Sequence, residues 1–198
     1  MPPAPQTPQA PPTPPPPQTP QAIYLITGIS AAGKSTVAQL LAEQLPRAVH
    51  VRGDVFRRMV VTGRAEMTPD PSAEAERQLN LRHRLTAKVA DEYFAAGFSV
   101  VAQDIILGDR LARMTRLIRG RPLHVIVLAP GPTTVAVREA QRTKSGYGGG
   151  WSVTALDQAL RKDTPRIGLW LDNSEQHPQE TVTEILRRSR PLGSDDIP

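Results

Sequence analysis

Gly28-Ile-Ser-Ala-Ala-Gly-Lys-Ser35 fits the pattern G-x-x-x-x-G-K-[ST], and its flanks decide the fold. Before it, Ile23-Tyr-Leu-Ile-Thr27 is a short apolar run of the kind that makes a buried parallel strand. After it, Val37, Leu40, Leu41 and Leu45 recur at helical spacing. Strand, glycine loop and helix in this order turn backbone N–H groups inward at the positive end of a helix, which is a device for holding phosphate. Gly28 and Gly33 supply the backbone angles such a loop needs. The pattern assigns Gly28, Ser30, Ala31, Ala32, Gly33, Lys34, Ser35 and Thr36 to nucleotide binding. Lys34 is expected to reach the β- and γ-phosphates, and the Ser35 hydroxyl to hold Mg²⁺.

Four further strand-like runs alternate with helical ones. Ala48-Val-His-Val-Arg52 closes in Gly53-Asp54 and is followed by a helical run at 55–61. Asp54 thus falls just beyond a strand end, where open α/β sheets gather their ligands. It is the candidate catalytic carboxylate; helix capping is the competing role for an Asp at this place. Residues 62–72, with Gly63, Pro69 and Pro71, read as a loop. Residues 73–96 read as one long helix whose buried stripe is expected at Leu81, Leu85, Val89 and Tyr93. His83 has no second His at metal-ligand spacing, and Arg77 and Arg82 are basic positions that either stay solvated or face a substrate.

Phe98 to Asp104 gives the third strand, and Asp104 at its end is the expected Mg²⁺ partner of Ser35. A helix over 109–119 and an apolar strand over 123–129 follow. In the helix after Pro132, Arg138 and Arg142 are four apart and share a face. The glycine-rich stretch 145–150 behind them suits a lid hinge, so about 132–150 reads as a lid whose two arginines close over a nucleotide. A helix at 151–162, a fifth strand at 167–172, an Asn173-Ser174 loop expected near the phosphate loop and within reach of the adenine, and a helix at 181–189 complete the order.

Composition bounds the rest. Residues 1–22 hold eleven prolines and no charge, and Pro-Gln-Thr-Pro-Gln-Ala occurs at 5–10 and again at 17–22. Such sequence favours extended polyproline conformations and cannot bury a core, so it reads as a disordered tail. The expected organisation is that tail, one domain over 23–190 and a short tail at 191–198. With no cysteine, there is no thiol nucleophile, disulfide or cysteine metal site, which suits a cytoplasmic protein. No apolar run is long enough to span a membrane, so no membrane partner is expected. A net charge of +5 is spread along the chain and aromatics are 4%, which argues against a nucleic-acid partner. Oligomeric state leaves no mark in the sequence.

Five strands alternating with helices make an α/β domain with a parallel sheet. At this level the chain resembles the P-loop kinase superfamily, and within it the chloramphenicol phosphotransferases. The loop 28–35, Asp54, the segment Asp104-Ile-Ile-Leu-Gly108 and the Arg138/Arg142 helix carry the likeness. The resemblance implies strand order 2-3-1-4-5, ATP and Mg²⁺, Asp54 as general base, and Arg138 and Arg142 as lid arginines. It implies transfer of a γ-phosphate to a hydroxyl of a small molecule, with an antibiotic, a nucleoside, a sugar acid or a nucleotide sugar among the acceptors. The chain departs from those enzymes at Gln103-Asp104, where they carry an acidic pair, and between Asp54 and residue 80, the stretch expected to line the acceptor pocket.

Overall fold

The computed structural model describes residues 20–141, 147 and 150–193. Residues 1–19 of the tail expected at 1–22, Arg142, most of the hinge expected at 145–150 and residues 194–198 therefore lie outside the described residues, while Ala22, expected in the tail, is buried and Gln21 donates to the Phe98 carbonyl at 3.1 Å. Five strands form one sheet: β1 (Ile23–Gly28), β2 (Ala48–Arg52), β3 (Ser99–Gln103), β4 (Leu123–Leu128) and β5 (Leu169–Leu171). Their order is β2-β3-β1-β4-β5 and every pairing is parallel, as the resemblance implies. The central strands β1 and β3 are buried at every residue, which is why they read as unbroken apolar runs rather than alternating ones.

The helices are α1 (Lys34–Gln44), α2 (Gly53–Arg58), α3 (Ala73–Ala95), α4 (Arg110–Leu117), α5 (Pro132–Ala140), α6 (Val153–Gln158), which continues as a π-turn over Ala159–Asp163, and α7 (Pro178–Arg188). One layer pairs α1 with α7, and the other pairs α3 with α4. The last helix starts three residues earlier than its apolar pattern suggested. Pro178 takes its first turn, and His177 and Glu180 form a reciprocal capping box. The domain also reaches slightly past residue 190, since the Leu192 amide donates to the Leu123 carbonyl at 2.8 Å.

Helix α3 corrects the expected stripe. Leu81 and Tyr93 are 43% and 44% exposed, and the buried residues are Ala75, His83, Thr86, Ala87 and Ala90. Small side chains let the helix lie close against β2 and β3. Of the larger apolar ones, Val89 packs against the edge of the core and Tyr93 meets Phe98 edge to face with ring centroids 5.9 Å apart. Size, not hydrophobicity, selects the inward face here.

Candidate active site

The phosphate loop leaves β1 at Gly28, whose φ is +148°; a side chain there would meet the Leu128 carbonyl oxygen at 2.4 Å. Ala31 is held at φ +60°, alone among the described non-glycine residues in having a positive φ. Gly33 caps α1 at φ +93° and has no side chain to satisfy the first-turn amides, which leaves them to a ligand. Lys34 is buried, and its Nζ donates to the Ile29 carbonyl at 2.7 Å. Ser35 and Thr36, in the first turn of α1, are exposed.

Asp54 and Asp104 stand at the ends of β2 and β3, and the Asp104 amide donates to Ile26 of β1. Asp54 does not cap its helix. Arg52 occupies the cap position without a side-chain bond, and Asp54 sits in the first turn with Arg52 Nε at 3.5 Å and Arg58 Nη2 at 3.2 Å. The carboxylate is 39% exposed, so these pairs contribute little stability and leave it open to a substrate.

Asp104 is the opposite case, with its side chain 1% exposed. Arg82 of α3 donates to both of its oxygens, with Nε at 2.6 Å from Oδ2, while the Ile105 amide donates to Oδ1 at 2.7 Å. Burial pulls the Arg82 guanidinium down to about 10; the nearby Asp54 charge opposes that shift and Arg57 adds to it. The Asp104 carboxylate lies against the backbone of Gly53, where a Cβ would fall 2.1 Å from its Oδ2. Gly53 is therefore demanded by space. Gly53→Ala is expected to destabilise the domain by ~1–3 kcal/mol, an overpacking cost, readable as a lowered midpoint in denaturant.

His83 lies behind this pair, 3% exposed. Burial, then Arg82, Arg110 and Arg113, lower its pKa to about 4. The unfolded chain takes a proton near pH 6.5, so stability falls as pH drops from 6.5 toward 4. Relative to wild type, His83→Met is expected to lose about 2 kcal/mol less between pH 7 and pH 5, whatever its stability at pH 7. Urea unfolding at both pH values checks this, and equal losses in the two proteins would refute it.

On the other side of the loop, Arg138 of α5 reaches the site. Its Nη2 donates to the Asn173 carbonyl at 2.8 Å, and its buried Nη1 has no hydrogen-bond partner among the described residues and lies near Gly33. Asn173 Nδ2 donates to the Ala32 carbonyl at 3.1 Å. The expected nearness of the 173–174 loop to the phosphate loop therefore holds. Sequence reasoning missed two contacts: Tyr147 donates to the Ser30 carbonyl at 2.9 Å, and Trp151 Nε1 to the Met67 carbonyl at 3.0 Å. Both partners are main-chain carbonyls, so residue type carried no signal for either contact. Arg161, in the π-turn, adds a brace by donating to the carbonyls of Ala129 and Pro130.

A family model described as an AAA domain, AAA_33, matches residues 23–165, which hold the phosphate loop and both strand-end carboxylates. The chain belongs to the AAA_33 family. This AAA_33 chain is 37% identical over 81 residues to a UPF0200 protein of Aeropyrum pernix, covering 40% of this chain and 43% of that one. It thus spans less than half the length of that relative. Its fold is shared with a sugar kinase from Janibacter sp. HTCC2649 (TM-score 0.61, 19% identity, 85% of this chain and 94% of that one). The tunicamycin resistance protein of Deinococcus radiodurans shares it too (TM-score 0.59, 16% identity, 87% and 99%). The AAA_33 chain thus has the P-loop kinase fold. No helix among its described residues is long and apolar enough to cross a membrane.

The fold family implies Mg²⁺, and the oxygen donors present fit it. The exposed Ser35 hydroxyl and the Asp104 carboxylate are hard ligands, and Mg²⁺ in such sites takes one or two protein groups plus phosphates and water. Since Arg82 and the Ile105 amide already engage Asp104, its part suits contact through water.

Proposed function

We propose that the protein is an ATP-dependent phosphotransferase that moves the γ-phosphate to a hydroxyl of a small molecule. The observation that supports it is the phosphate loop lying beside two carboxylates of unlike environment, one half-exposed and one buried on an arginine. The exposed one, Asp54, is free to meet an acceptor hydroxyl, and the buried one, Asp104, is fixed.

In this reading residues 28–36 hold ATP, and the Asn173-Ser174 loop and Arg138 border it. The acceptor oxygen forms a bond to the γ-phosphorus as the bond from that phosphorus to the β,γ-bridging oxygen breaks. ADP leaves, and the hydroxyl proton passes to the Asp54 carboxylate. The transition state is loose, so Asp54 orients the hydroxyl as much as it takes the proton. Lys34 and the lid arginines Arg138 and Arg142 balance the charge on the moving phosphoryl group. Ser35, and Asp104 through water, would hold Mg²⁺, which would supply further charge neutralisation on the phosphates.

Antibiotics are the first acceptors to test, on the strength of the resemblance to chloramphenicol phosphotransferases. The measurement is ATP consumption by purified protein against hydroxyl-bearing antibiotics, nucleosides and sugar acids, with mass detection of an added phosphate. Phosphate on any of them supports the reading. ATP binding with no product across a broad panel would turn the assignment toward a nucleotide-dependent switch.

A further inference from the structure

Midway along the phosphate loop the backbone is bent in a way its sequence disfavours. The Ala32 amide donates to the Ile29 carbonyl at 3.3 Å, closing a turn with Ser30 and Ala31 at its centre. Ala31, the third residue of that turn, stands at φ +60°. A positive φ there is what a type II turn requires and favours glycine, whereas a type I turn suits most residues. The two differ chiefly in the rotation of the central peptide, here the one joining Ser30 to Ala31. An alanine at this angle carries strain that its surroundings must offset.

An offsetting contact comes from far along the chain. Tyr147 packs against the edge of the core, and its hydroxyl donates to the Ser30 carbonyl at 2.9 Å. That carbonyl belongs to the very peptide whose rotation separates the two turns. With its oxygen held by Tyr147, the planar trans peptide sets the Ala31 N–H in the opposite direction. Were the peptide to turn over, a carbonyl oxygen would stand where the N–H now stands. Against a polyphosphate, that exchange replaces a donor with a repelling acceptor.

Resting on the kinase reading above, we infer that Tyr147 is a positioning residue for the donor nucleotide: its hydroxyl holds the peptide between Ser30 and Ala31 in the rotation that presents the Ala31 N–H to the phosphates. Tyr147 acts through the loop and touches no phosphate itself.

The test is calorimetric titration of the full chain with a non-hydrolysable ATP analogue. Tyr147→Phe deletes the hydroxyl and keeps the ring, and is expected to weaken the analogue ~3- to 10-fold, the worth of one hydrogen bond. Ala31→Gly takes the positive φ without strain. Introduced into the Tyr147→Phe protein, it should recover most of the lost affinity. A general loosening of the chain around Tyr147 would not be repaired by a change at residue 31, so the recovery separates positioning from bulk structure. Tyr147→Phe binding the analogue as wild type does, or a loss that Ala31→Gly fails to recover, would each overturn the inference. If loss and recovery both occur while no alcohol ever gains phosphate from ATP, the positioning role stands and the kinase reading falls. If wild type transfers phosphate while Tyr147→Phe binds normally, the kinase reading stands and the positioning role falls.

Discussion

Asp54→Asn is expected to lower turnover with the true acceptor by ~10²–10⁴-fold, the usual worth of a positioned general base, while nucleotide affinity stays within about twofold. The asymmetry follows from geometry. Asp54 stands at the end of β2 with Arg52 and Arg58 as its partners, and the nucleotide is expected on the loop after β1. Lys34→Ala is the contrasting variant. Its ammonium, now on the Ile29 carbonyl, would no longer reach the phosphates, and losing a charged hydrogen bond of this kind costs ~1.5–3 kcal/mol of binding. Lys34→Ala therefore weakens nucleotide binding ~10- to 100-fold as well as ending turnover. Calorimetric titration with a non-hydrolysable ATP analogue separates the two. An Asp54→Asn protein with near-normal turnover would remove Asp54 from the chemistry.

Arg82→Met is expected to destabilise the fold by ~3–5 kcal/mol, because it strands the Asp104 carboxylate in the interior. That is a large share of a typical domain's ~5–15 kcal/mol. Replacing both partners, Arg82→Met with Asp104→Leu, should recover most of the loss, since a buried ion pair exchanged for apolar groups is often neutral. Arg82→Lys should recover only part, as an ammonium cannot match two carboxylate oxygens the way a guanidinium does. Urea denaturation of the four proteins reads all three statements. A single-variant cost under ~1 kcal/mol would show that the pair behaves as an exposed one.

The sequence carried the fold because its deciding signals are local. Ile23–Thr27 and Leu123–Leu128 read as buried strands from composition alone, and the glycine loop between β1 and α1 fixes their polarity. Asp54, Asp104, Lys34 and Arg138 were legible for the same reason: each stands at a strand end, in the loop or in the helix before the glycines. The rest depended on distance in space. Arg82 and Asp104 are 22 positions apart, and no periodicity announces their pairing. The α3 stripe was misread because large apolar residues count most in a hydrophobic pattern, whereas close packing of α3 on the sheet admits Thr86, Ala87 and Ala90 and turns Leu81 and Tyr93 out. Tyr147 and Trp151 were missed because their partners are main-chain carbonyls of Ser30 and Met67, which leave no trace in residue type.

Those two aromatics have a mechanical consequence. Tyr147 is fastened to the phosphate loop at Ser30, and Trp151 to the 62–72 loop at Met67. Four residues of chain extend no further than ~14 Å, so the two moorings share one short leash. Slack given to one mooring is drawn from the other. A displacement of the 62–72 loop at Met67 is thereby felt by the phosphate loop at Ser30, and the reverse.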